Sequence, residues 1–186
     1  MDYFSSPYYE QLFMKTINSV DTKEFLNHQV ANLNVFTVKI HQIHWYMRGH
    51  NFFTLHEKMD DLYSEFGEQM DEVAERLLAI GGSPFSTLKE FLENASVEEA
   101  PYTKPKTMDQ LMEDLVGTLE LLRDEYKQGI ELTDKEGDDV TNDMLIAFKA
   151  SIDKHIWMFK AFLGKAPLEE AHVMHKVAPR PGGGSC

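Results

Sequence analysis

The chain has 186 residues, 42 % of them hydrophobic, and a formal net charge of −13. Its length suits one domain with a real core, and its charge repels a phosphate backbone, since the 18 lysines and arginines are scattered singly. The one cysteine, Cys186, excludes an intramolecular disulfide and a zinc finger, and no apolar run reaches membrane-spanning length.

Residues 1–13 are aromatic, with Tyr3, Phe4, Tyr8, Tyr9 and Phe13 around Pro7. They lack the basic and apolar regions of a secretion signal, so the cytoplasm is expected. A start typical of a natural protein follows at Met14. The first predicted helix runs from Thr22 to about Met47, capped by Asp21 or Thr22. Its apolar positions are Phe25, Val30, Leu33, Val35, Phe36, Val38, Ile40 and Ile43. Arg48-Gly49-His50-Asn51 breaks it. Thr54 and Glu57 form a T-x-x-E capping box expected to open the second helix, which ends near Ile80 before Gly81-Gly82-Ser83-Pro84. Its stripe is Leu55, Met59, Leu62, Phe66, Met70, Val73, Leu77 and Leu78.

Thr87 and Glu90 repeat the box before a short helix with Leu88, Phe91 and Leu92. After the loop marked by Pro101 and Pro105, Thr107 and Gln110 open a third long helix through Leu111, Leu115, Leu119, Leu122 and Ile130. Gly137 ends it. The fourth spans about Val140 to Leu163, with Asp139 or Thr141 at its N-cap. Four long amphipathic helices with the longest connection in the middle predict an all-α, ferritin-like four-helix bundle carrying one short extra helix.

The end of the chain reads EAHVMHKVAPRP and then GGGSC. A twelve-residue segment beside a Gly-Gly-Gly-Ser linker has the format of a displayed peptide. Residues 1–13 and 169–186 are therefore read as engineered appendages on a domain spanning 14–168. The aromatic peptide suits a flat carbon surface; His172, His175, Lys176 and Arg180 suit a metal or inorganic oxide surface. Tails without a role are the alternative. Cys186 is expected to be an exposed, reactive thiol.

The second helix carries the chemistry. His56 and Asp60 are four residues apart and share a face, as do Asp71 and Glu75. The two pairs are nearly in phase, but on the order of 16 Å apart along the axis at about 1.5 Å per residue. One chain cannot put both on one ion. Two second helices packed antiparallel around Gly67 bring the His56–Asp60 pair of one to the Asp71–Glu75 pair of the other, twice per dimer. His44, at the end of the first helix, completes each site. Two imidazoles and three carboxylates suit iron, and also zinc, cobalt or manganese.

The stretch NVFTVKIHQIHWYMRGHNFFTLHEKMDDLYSEFGEQMDEVAERLLAIGGSP resembles the Dps family, ferritin-like mini-cages of starved bacteria, and the resemblance extends over residues 14–168. It implies a homo-dodecameric shell with an intersubunit ferroxidase centre: His44, His56 and Asp60 from one subunit, Asp71 and Glu75 from its partner. It also implies oxidation of Fe2+ with hydrogen peroxide and storage of the ferric product. Asp134, Asp139 and Asp143, in an acidic cluster with Asp138, would line an iron-entry pore. Trp45 and Trp157 are candidate traps for stray oxidising equivalents, with packing in the bundle or an interface as their expected main role. His41 is a candidate to shape the site from behind His44. No E-x-x-H motif occurs in the helices, so an intrabundle centre of the larger ferritins is not expected. A lysine-rich tail is missing, so DNA condensation is not expected, nor is a membrane partner. A catalytically idle cage displaying the two peptides is the alternative function.

Overall fold

A computed structural model describes residues 21–168, all helix, turn and loop. The predictions for the two tails, including Cys186, lie outside the described residues. The helices are α1 (Thr22–Tyr46), α2 (Phe52–Ala79), α3 (Leu88–Asn94), α4 (Met108–Glu136) and α5 (Asp139–Phe162). Hairpin partners α1 and α2 pack closely along their lengths, as do α4 and α5; the segment 80–107 with α3 joins the two pairs. Among the described residues no helix is long and apolar enough to cross a membrane.

Capping explains most helix starts. The Asp21 carboxylate accepts the Glu24 N–H at 2.9 Å and opens α1. Reciprocal capping boxes at Thr87/Glu90 and Thr107/Gln110 open α3 and α4. The predicted box at Thr54 and Glu57 does not cap α2. The helix begins two residues earlier, at Phe52, after Asn51 in the left-handed region (φ 64°). Gly49 (φ 115°) and Asn51 tighten the turn enough to start α2 early, leaving Thr54 and Glu57 exposed inside the helix. The N-cap of α5 is Asp138, not Asp139 or Thr141. Its carboxylate accepts the Thr141 N–H at 3.1 Å, with Thr141 buried as the third helical residue.

The apolar stripes meet in one core around Phe36 and Phe66, packed edge to face at 4.8 Å between centroids. Val38, Leu78, Leu88 and Leu92 depart from expectation and lie exposed. Each sits at the margin of its stripe or on the outer side of α3, a helix with no buried residue. At Gly129 the absence of a side chain is needed: a Cβ there would stand 2.3 Å from Phe25 Cζ and 3.0 Å from Leu145 Cδ1.

A buried polar knot fastens the central connection to the bundle. Glu125, 3 % exposed on α4, accepts hydrogen bonds at one oxygen from Gln29 Nε2 (2.8 Å) and Asn32 Nδ2 (2.6 Å), and pairs with His28 Nε2 (3.2 Å). His28 Nδ1 donates to the Asn94 carbonyl at 2.7 Å, and Asn32 Oδ1 accepts the N–H groups of Ser96 and Val97. Burial works to raise the Glu125 carboxyl, but His28 and Gln29 outweigh it and hold it below the ordinary range. Burial likewise works to lower His28, and Glu125 outweighs it and raises the imidazole.

Two stability predictions follow from this core. Gly129→Ala forces Phe25 off its site and costs about 1–3 kcal/mol in urea unfolding; an unchanged midpoint would contradict the close approach. The stability that Glu125 supplies is present above its unfolded pKa and is lost as pH falls through the lowered folded value. The stability that His28 supplies is present below its unfolded pKa and is lost as pH rises through the raised one. The knot thus contributes most between the ordinary carboxylate and imidazole pKa values, near 4.5 and 6.5. Glu125→Gln should flatten the pH dependence of unfolding on both flanks; a profile unchanged in shape would refute the assignment.

Candidate metal centre

The turn 47–51 folds α2 back along α1, so the last turn of α1 faces the first turn of α2. Met47 anchors the turn with 3 % exposure. His44 Nδ1 donates to the His56 carbonyl at 3.1 Å, and His56 Nδ1 donates to the His44 carbonyl at 3.2 Å. The rings stack at 3.6 Å between centroids and 23° between planes, with Phe52 stacked on His56 at 4.9 Å. Donation from both Nδ1 atoms to carbonyls leaves Nε2 as the ring nitrogen of each histidine that could serve a metal. Asp60 Oδ1 lies 3.4 Å from His44 Nδ1, with its side chain 65 % exposed against 14 % for His44. The three groups stand together at the α1–α2 junction, with Asp60 the solvent-facing member.

Asp71 and Glu75 stand exposed toward the other end of α2. The structure therefore brings His44, His56 and Asp60 together and leaves Asp71 and Glu75 apart from them. Among the described residues no group of three or more His, Cys, Asp or Glu is arranged to hold an ion within one chain. Gly67 lies between the halves on α2, and a Cβ there would meet nothing within 4 Å.

His41 is stacked between Trp45 (5.2 Å, 16°) and Tyr63 (3.9 Å, 18°), its ring centroid 6.5 Å from that of His44. Trp45 and Trp157 are 68 % and 52 % exposed, so neither packs inside the bundle. Asp134, Asp139 and Asp143 are exposed at the α4–α5 junction.

Four side-chain contacts, centred on Arg76 and Glu65, join α2 to α5 and the turn before it. Arg76, next to Glu75, donates from Nη2 to Asp138 Oδ1 at 2.6 Å and from Nε to Thr141 Oγ1 at 2.8 Å. It ties the end of α2 to the turn carrying the aspartates. Burial works to raise the Asp138 carboxyl, but Thr141 and then Arg76 hold it low. Deeper in the bundle, Glu65 on α2 accepts from Ser151 and from His155 Nε2 (2.8 Å) on α5; His155 lowers the Glu65 carboxyl. These pairs span 62 to 90 residues in sequence, so no local spacing signals them.

Comparison with known proteins bears on this geometry. A model of the ferritin-like domain matches residues 23–168. The chain is 99 % identical over 156 residues to the DNA protection during starvation protein of Listeria monocytogenes, covering 84 % of this chain and 100 % of that one. The X-ray structure of Dps from Listeria monocytogenes superposes with a TM-score of 0.81 at 99 % identity, covering 82 % of this chain and 99 % of that one. A Listeria innocua Dps mutant in which two histidines, twelve positions apart, are both glycine gives a TM-score of 0.81 at 99 % identity, over 81 % of this chain and 99 % of that one.

Arg76→Ala should leave Asp138 half-buried without its cation and cost about 1–3 kcal/mol in urea unfolding. Arg76→Lys should recover only part of this, because an ammonium cannot serve both acceptors with a planar fork. An alanine variant as stable as the parent would remove the tie.

Proposed function

The chain belongs to the ferritin-like family, within its Dps branch, and on that footing we propose that it oxidises and stores iron at a centre completed by two subunits. The observation that carries the reading is the exchange of carbonyl hydrogen bonds between the Nδ1 atoms of His44 and His56, which leaves both Nε2 atoms available as ligands, with Asp60 Oδ1 3.4 Å from His44 Nδ1. Among the eight histidines only this pair is twelve positions apart, the spacing of the two histidines changed in the Listeria innocua mutant.

Two chains pack antiparallel through α2, with Gly67 permitting close approach. Each His44–His56–Asp60 half-site then meets the partner's Asp71 and Glu75, and the dimer carries two equivalent centres. Exposed apolar residues near the end of α2 and on α3, namely Leu78, Leu88 and Leu92, favour cover by another subunit. Six such dimers close the dodecamer. Two ferrous ions bound at one centre each give one electron to hydrogen peroxide; two protons are taken up and two waters form. Because both electrons arrive together, no hydroxyl radical is released. The carboxylates favour the ferric charge, and the imidazoles hold the ions in place. Zinc, cobalt or manganese would compete for the same donors.

Asp134, Asp139 and Asp143, repeated about a threefold axis, would draw cations inward. Trp45 and Trp157 are exposed enough to serve as interface contacts or electron traps. With a net charge of −13, the cytoplasmic cage protects through iron chemistry and does not condense DNA. The Listeria monocytogenes match spans all of that relative and 156 residues here, leaving 30 of 186 outside it. That remainder supports reading the two ends as added peptides for display on carbon or inorganic surfaces.

Replacing His44 and His56 with glycine should abolish fast peroxide-dependent ferrous oxidation, followed by ferric absorbance, while light scattering still finds the assembled shell. Persistent fast oxidation in the double variant would sink the assignment. An unaltered chain with no oxidation above buffer would favour the idle display cage.

A further inference from the structure

Tyr46, the last residue of α1, and Tyr102, in the connection between α3 and α4, stack nearly parallel. Their ring centroids are 4.1 Å apart and their planes 13° from parallel. Both rings are held. One turn before Tyr46, Gln42 Nε2 donates to the Ala100 carbonyl at 2.9 Å and fixes the connection beside the stack. The Lys106 N–H donates to the Tyr102 hydroxyl at 2.9 Å. Tyr46 is 46 % exposed, so water and small oxidants reach the pair. Among the described residues no other two tyrosines are in ring contact: Tyr63 lies on His41, and Tyr126 is buried against Phe148.

A phenol that loses one electron and one proton carries its unpaired spin partly on the two ring carbons next to the oxygen-bearing carbon. Two such radicals held face to face join carbon to carbon. We propose that Tyr46 and Tyr102 form an oxidative cross-linking site, converted to a dityrosine bond by oxidising equivalents that escape the iron reaction. The source of oxidant rests on the function proposed above; the pairing of the rings does not. A ferrous ion that meets peroxide alone yields a ferric ion, hydroxide and a hydroxyl radical. The radical takes the phenolic hydrogen of one tyrosine and becomes water. A second such event oxidises the other ring. The two radicals couple, and the two displaced ring hydrogens move to the oxygens, so the pair loses two hydrogen atoms in all. Tyr46 lies two residues beyond His44, an axial rise of about 3 Å, on the other side of α1, so a diffusing radical has only the helix to pass. The new bond would staple the α3–α4 connection to the helix that supplies His44.

The full-length assembled protein is treated in two arms. One receives ferrous iron below one ion per centre with excess peroxide. The other receives photoexcited ruthenium tris-bipyridyl with persulfate, which oxidises tyrosine without iron. Ferric absorbance, dityrosine fluorescence and peptide mass mapping are read on each sample. A peptide pair joining Tyr46 to Tyr102, lighter by two hydrogen atoms, is expected in both arms, and Tyr102→Phe should remove it from both. A photochemical arm that joins other tyrosines but not these two would overturn the site. A 46–102 product by light but not by iron, with ferric absorbance normal, would overturn the iron reaction as its source. Ferric absorbance missing from the iron arm would instead fault the proposed function, and the light arm would still decide the ring pair.

Discussion

A continuous helix cannot bring its own ends together. α2 runs unbroken for 28 residues, with His56 and Asp60 in its first third and Asp71 and Glu75 in its last. The rise per residue keeps the two pairs on the order of 16 Å apart. Every functional statement about the molecule descends from that separation. Two pairs so far apart on one helix can share a site only through a second chain facing the other way.

What the single chain does provide is a fixed pair of imidazoles. The exchange of carbonyl bonds between His44 and His56 costs no charged group and uses two main-chain acceptors at the junction of α1 and α2. It orients both rings, so little side-chain entropy would remain to be lost if they took up an ion as proposed. The 47–51 turn makes this geometry, and Asn51 in the left-handed region starts α2 early enough for His56 to face His44. At the far end, Arg76 fixes the end of α2 to the α5 N-cap, so the Glu75 end of α2 is fastened to the junction bearing the exposed aspartates.

Much of this was legible in the sequence, and the boundary is physical. Amphipathic period and capping chemistry are local, so Thr87, Thr107 and Gly137 marked their helix ends correctly. Thr54 and Glu57 show the same local pattern without the same result, because a backbone feature upstream, Asn51, started the helix first. The in-phase pairs on α2 were visible because helix geometry is periodic. The hydrogen bonds that lock His44 and His56 were not, because their acceptors are carbonyls that no residue type announces. Glu125 with His28, Glu65 with His155 and Arg76 with Asp138 join residues distant in sequence, and only the packed bundle reveals them.

The central claim is that each oxidation centre draws on two chains. Subunits carrying His44→Gly and His56→Gly, and subunits carrying Asp71→Asn and Glu75→Gln, are prepared separately, then dissociated, mixed equally and reassembled. Neither parent should oxidise ferrous iron rapidly with peroxide. In the mixture half of the dimers pair unlike subunits, and each of these holds one intact centre of its two, so about a quarter of the unaltered rate should return. A mixture as inactive as its parents, with the shell reassembled, would contradict the shared centre.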